Sequence, residues 1–308
     1  MRLVCPPGST ARIFDRGGEV ASAENVVRVL ANAPNRLLVT ASDGRSYVLK
    51  LYEDQTKDRA LLRESLGTEL AACLGLPVAR WRPIYVSNDF ISAFSQIWTK
   101  GRPIAGFYFG SEMVTQNPGE RVYDYLPKTD YHGIDNRKAF IGMLLLDIWA
   151  NNSRSRQAIF FRAADSTKFQ AVFLGFKDMF STQVHYSPTT MAGLYSRRGI
   201  YEGLWDEAVF SFWQRRIVSL KKSRLCRLIS KLPAEWVDRD DVEQILSRLM
   251  ARQKLIKRLR FHSVDPCSEP WDFPGDGVSI SISPSRSRSL TKIAFGFDTI
   301  PLQKILIG

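Results

Sequence analysis

Lys50 lies in an alternating stretch, SYVLKLY, and the helical stretch that follows carries Glu64, with Glu69 as the second choice. A strand lysine aligned by a helix carboxylate makes a grip for phosphate oxygens, because the ammonium donates and the carboxylate fixes its direction. Each residue also has a plain reading, since half-buried strand lysines and helix glutamates are common. Further along, Asp147 sits in the apolar run RKAFIGMLLLDIWA, which Asn151 and Asn152 end. Arg154, Gln157 and Asp178 follow within a short distance. Asp147 and Asp178 are the carboxylates with the chemistry of a base or a metal ligand. On an apolar helix, however, Asp147 equally reads as a cap or as a partner to a neighbouring group. Cys5, Cys73, Cys226 and Cys267 are far apart with no CxxC pair, and there are three histidines, so their spacing suggests no metal site.

The elements that must position these groups can be read from pattern. NVVRVL and RLLVT are strand-like around a tip, ANAPN, and Ser42-Asp43-Gly44-Arg45 turns into SYVLKLY. Alternation puts Val48 and Lys50 on one face and Tyr47 and Leu49 on the other. A helix is expected over roughly 57–75, ended by Gly75 and Pro77. Strands are expected over 80–98, loops over 100–136, and a helix from about Asp135 to Ala150. Short strands should follow at 157–162 and 169–174, then helix from about 200 to 262. A hairpin, a lysine-bearing strand, a helix with a carboxylate, more strands and then a helical half is the plan of a protein kinase.

Longer stretches resemble the HipA-like kinase family in the family's own order. They are SYVLKLY with RESLGTELAACLGLPV, then FGSEMV, VYDYLP, AFIGMLLLDIW, the NN…RQAIFFR segment and GLYSRRGIYEGL, together spanning about 25–205. The resemblance implies an α+β, bilobal, protein-kinase-like fold with a β-rich N-lobe (25–102) and a helical C-lobe (103–265). These would be flanked by an N-terminal extension (1–24) and a Ser/Arg-containing, poorly ordered tail (266–308). It also implies ATP as ligand, with Lys50, Glu64, Asn152 and Gln157 as nucleotide-binding positions.

At the chemistry the chain departs from the family pattern. Anchored on RQAIF, Arg154 falls where the family has its catalytic Asp, and a guanidinium cannot accept a proton. Anchored on Phe180, Gly175 falls at the metal-holding Asp, which leaves Asp178 as the substitute metal ligand. The tip ANAPNR has no glycine, and Pro34 has no N–H to offer a phosphate. Three altered phosphate- and metal-handling places argue against Mg²⁺ and for a pseudokinase, a nucleotide-binding or protein-interaction module. An active Ser/Thr kinase using Asp178 is the alternative. At the cleft mouth Arg154 would pair with Asp178 or Asp147, reach a nucleotide's phosphates, or stand in solvent.

Composition bounds the rest. The chain has 308 residues, 44% hydrophobic and 24% charged, enough for a substantial core. No apolar run is long enough to span a bilayer, and neither a leader nor a paired-cysteine framework is visible, so a reducing cytoplasm is expected. The formal net charge of +12 suits an acidic partner. Nucleic-acid binding is therefore a second alternative, without an RNP, zinc-knuckle or helix-turn-helix pattern to support it. The basic residues of 205–262 alternate with leucines and read as the solvated face of an amphipathic helix.

Overall fold

The structure, a computed structural model, describes residues 20–30, 36–52, 57–98, 102–114, 119–182, 193–204 and 206–261, all within one compact unit, Met1–Phe273. The tip 31–35, His185, Trp205 and the Ser/Arg tail lie outside the described residues. The fold is mixed: a β-sheet N-terminal part is followed by a largely helical C-terminal part. No described helix is long and apolar enough to cross a membrane.

The first sheet contains β1 (Ala23–Val29), β2 (Arg36–Ala41), β3 (Ser46–Lys50), β4 (Trp81–Val86) and β5 (Gly106–Glu112), in the order β1-β2-β3-β5-β4. Every pairing in it is antiparallel. Pro83, which cannot donate to a ladder, lies on β4 at the edge. Along β3, Tyr47 and Leu49 are buried against Leu37, Val39, Ile84 and Tyr108. The pleat therefore sends Lys50 to the opposite face, which α1 (Lys57–Cys73) covers. Gly75, at φ +78°, ends the excursion after α1 in the left-handed region that glycine tolerates.

Two expectations are corrected in this part. Residues 80–98 are not all strand: after β4, Ser87 caps α2 (Asn88–Ala93) by accepting the Phe90 N–H at 3.0 Å. The stretch 100–136 is not all loop, because GFYFGSE forms β5, a central strand of the sheet lying past residue 102. Its glycines suggested a loop, yet Gly110 is needed for packing: a Cβ there would meet the Ile84 side chain at 2.4 Å.

The second part is built on α3 (Ala139–Trp149), every residue of which is buried. The helix starts four residues later than the sequence suggests, after a turn over 135–138. Around it lie a three-stranded sheet, β6 (Arg121–Tyr123), β7 (Gln157–Arg162) and β8 (Gln170–Leu174), and the helices α4 (Glu207–Val218), α5 (Lys222–Ile229) and α6 (Arg239–Arg258). The expected helical stretch beyond 200 is thus three helices, with a short 3-10 turn at Ala234–Trp236 between α5 and α6. Gly142 lets α3 and α4 approach closely, since a Cβ there would meet the Trp213 ring at 2.4 Å.

Candidate functional site

Lys50 ends β3 and Glu64 lies two turns into α1, so strand and helix deliver a cation and an anion to the same place. The Lys50 Nζ is 2.5 Å from Glu64 Oε1, with side chains 15% and 2% exposed. The other Glu64 oxygen, Oε2, accepts the Lys177 backbone N–H at 2.9 Å. Burial alone would push this carboxyl up. The Lys50 ammonium and the backbone N–H groups of Phe176 and Lys177 outweigh it and hold Glu64 below the usual carboxylate range. Glu69, the second choice, is occupied elsewhere: it accepts Trp81 Nε1–H at 3.1 Å and faces Lys231 Nζ at 3.5 Å.

Lys177 belongs to the segment that leaves β8, and that segment is strapped to the loop leaving α3. Ser153 donates from N (3.0 Å) and Oγ (3.2 Å) to the Asp178 carbonyl. The Phe180 N–H reaches the Ala150 carbonyl at 2.7 Å, and Asn151 Nδ2 donates to the Ser181 carbonyl at 2.8 Å. Asn151 (φ 52°) and Phe180 (φ 60°) both stand in the left-handed region. For a buried phenylalanine that conformation is strained and must be held by its surroundings. Gly67 of α1 admits the same segment, because a Cβ there would meet Phe176 Cβ at 2.6 Å and Met179 Sδ at 2.8 Å.

The remaining expected site residues divide between core and surface. Asn152 is buried, donates to Asp147 Oδ1 at 3.0 Å and accepts the Arg154 N–H at 3.2 Å, so its amide turns inward. Gln157 is exposed on β7, with its side chain near Gly175. Gly175 has φ +74°. The Asp178 carboxylate meets Lys177 Nζ at 2.9 Å and remains partly exposed. The Arg154 side chain is exposed and makes no ion pair with either expected partner.

That pairing falls instead to Arg156. Its Nε donates to Asp147 Oδ2 at 2.8 Å and its Nη2 to Asp147 Oδ1, while Nη1 donates to the carbonyls of Leu174 and Gly175, each at 2.9 Å. Both side chains are essentially inaccessible, and the guanidinium also lies 4.5 Å from the Phe176 ring centroid. Burial pushes the Asp147 carboxyl up, while Arg156 and Asn152 pull against it. Sequence reasoning took Arg156 only as part of an anchor. The available signal was an arginine immediately before a strand and nine residues after a helix aspartate, which is weak.

Close to Lys50 and Glu64, the Tyr52 hydroxyl is buried with no hydrogen-bond partner among the described residues, and burial followed by the Glu64 charge pushes its phenol up. A cavity of about 360 Å³ opens beside α1, lined by Glu69 and Ala72 with Arg45, Arg80, Trp81 and Arg82, but not by Lys50. No three His, Cys, Asp or Glu among the described residues converge as a metal-holding group.

No family model matches the chain, and no curated protein matches it. Among solved structures, it is similar to the Helicobacter pylori proinflammatory kinase CtkA at 12% identity and a TM-score of 0.49, over 75% of this chain and 92% of that one. It is also similar to the Golgi casein kinase at 10% identity and a TM-score of 0.46, over 79% of this chain and 74% of that one. A third similarity is to HipA of Shewanella oneidensis MR-1, in a complex with HipB and operator DNA. That match has 13% identity and a TM-score of 0.40, over 79% of this chain and 66% of that one.

Proposed function

We propose that this chain is a HipA-like kinase-fold protein acting as a nucleotide-binding or protein-interaction module, with phosphotransfer lost. The observation that carries the reading is the Lys50–Glu64 pair, locked through Glu64 to the Lys177 backbone, beside carboxylates already committed to internal cations. The residues fit a polyphosphate at Lys50, whose ammonium keeps donors beyond the one directed at Glu64. They fit a divalent cation poorly, because Asp147 is enclosed by Arg156, Gly175 brings no ligand and Asp178 faces Lys177. Phosphoryl transfer depends almost wholly on electrostatic stabilisation by metal and positioned charges. A bound nucleotide would supply the phosphate chemistry; the chain's own contribution is to hold Lys50 in place.

Thermal denaturation with ATP, in EDTA or in Mg²⁺, tests the proposal. Metal-independent stabilisation of about 2.7 kcal/mol at a hundredfold excess over Kd is expected, and Lys50→Ala should abolish it. The rival reading, an active kinase, draws on the position of Asp178 next to the residue whose N–H meets Glu64. Phosphate transfer from labelled ATP that both Lys50→Ala and Asp178→Ala eliminate would establish the rival.

A further inference from the structure

Helix α1 presents Glu64 to Lys50 with one side, and chain from the end of the helical part grips it at several other points. Arg59 Nε meets Asp241 Oδ2 at 3.0 Å, Glu69 faces Lys231 Nζ at 3.5 Å, and Cys73 Sγ receives Arg224 Nε at 3.5 Å. These three points run from Arg59 to Cys73, roughly 21 Å of helix. Between them, Leu61 is buried in one cluster with Phe109 and Trp236, and Trp236 is itself 1% exposed. Trp236 stacks on Trp81 (centroids 6.2 Å), Trp81 stacks on Phe109 (5.0 Å), and the Lys50 ammonium lies 5.9 Å from the Phe109 ring centroid. An unbroken run of aromatic rings thus connects the turn between α5 and α6 to the lysine.

The Trp236 indole N–H is buried with no hydrogen-bond partner among the described residues. Burying an unpaired donor is unfavourable, and ring packing must offset that. Leu66 and Leu70 of α1 are also buried in the large core cluster that holds Leu225 and Leu228 of α5, and Trp236 adds the one contact of the segment, among the described residues, that continues through stacked rings to Lys50.

We infer that the segment 222–241 is a built-in clamp that fixes α1 with Glu64 facing Lys50, and that Trp236 is the positioning residue of this clamp. Helix position, which could otherwise be left to a separate subunit, is set within the chain. The inference deepens the proposed function, since a fixed α1 is what keeps Lys50 aimed. Its structural half nevertheless stands without any nucleotide.

The test uses the full chain with Trp236→Ala and Trp236→Phe and has two nucleotide-free readouts. They are hydrogen exchange of the α1 amides, with the α3 amides as internal reference, and the labelling rate of Lys50 by an amine-reactive ester. In Trp236→Ala, α1 exchange and Lys50 labelling should each rise about tenfold or more, equivalent to ~1.4 kcal/mol, while α3 stays protected. Trp236→Phe keeps a ring and removes the unpaired N–H, so it should restore both. Should Trp236→Ala fail to fold, Trp236→Leu, which keeps apolar volume without the ring stack, takes its place. Unchanged labelling with a folded core overturns the clamp, as does a rise that α3 shares equally. ATP binding is measured last. Its absence from the unsubstituted protein would refute the proposed function while the labelling result still decides the clamp.

Discussion

At the residue scale, Glu64 and Asp147 make opposite uses of a buried carboxylate. Glu64 joins three parts of the chain and is held below its ordinary value. Its stabilising contribution is therefore complete above about pH 4.5, the ordinary carboxylate value, and drains away as pH falls through the lower folded-state value. Glu64→Gln should flatten that part of the acid-unfolding curve, measured by urea denaturation at a series of pH values. Asp147 is pushed the other way by burial, and it neutralises the enclosed Arg156 guanidinium, which also holds the Leu174 and Gly175 carbonyls. Asp147→Asn strands a buried guanidinium and should cost about 3–5 kcal/mol, read as a lowered denaturation midpoint. Replacing both Asp147 and Arg156 by leucine should cost less than Asp147→Asn alone, because no charge is then left unpaired. Lys50 and Glu64 were legible in the sequence because strand alternation and helix order fix where such side chains point. Arg156 was not, because arginines are seldom fully buried and local pattern does not reveal a partner on another element.

At the scale of elements, close approach decides more than propensity. Gly142 sits inside a helix, where glycine is unfavourable, yet it is what lets Trp213 lie against α3. Gly142→Ala should improve intrinsic helix propensity and still destabilise the protein by about 1–3 kcal/mol through overpacking. Trp213→Leu should recover part of that loss in a double-mutant cycle. The strands β7 and β8 were read correctly as the short stretches QAIFFR and FQAVFL, and α1 from its apolar spacing and its Gly-Pro stop. β5 was misread because GFYFGSE carries glycines that resemble punctuation, whereas Gly110 serves tight packing within the sheet. The straps between the α3–β7 loop and the segment after β8 lay beyond sequence reading altogether. They are mostly backbone hydrogen bonds between stretches about 25 to 30 residues apart, to which side-chain type gives no clue.

At the scale of the molecule, the helical part does more than support a core: α5, the 3-10 turn and α6 reach α1 and stabilise the first sheet's only lysine–glutamate pair among the described residues. That arrangement makes cooperative loss of both parts the expected unfolding behaviour. The two arginines beside β7 offer a way to watch it. Arg154 is exposed and Arg156 is enclosed, although a single residue separates them. A guanidine-selective dicarbonyl reagent should modify Arg154 in the native protein, and Arg156 only in molecules that have opened globally. Mass spectrometry of the peptide containing both then gives an occupancy ratio that is self-normalised. Its rise across a urea series should superimpose on the loss of the Lys50–Glu64 contact if the chain unfolds as one body, and precede it if the second part opens first. Neighbouring side chains of identical chemistry thus make the chain its own footprinting standard.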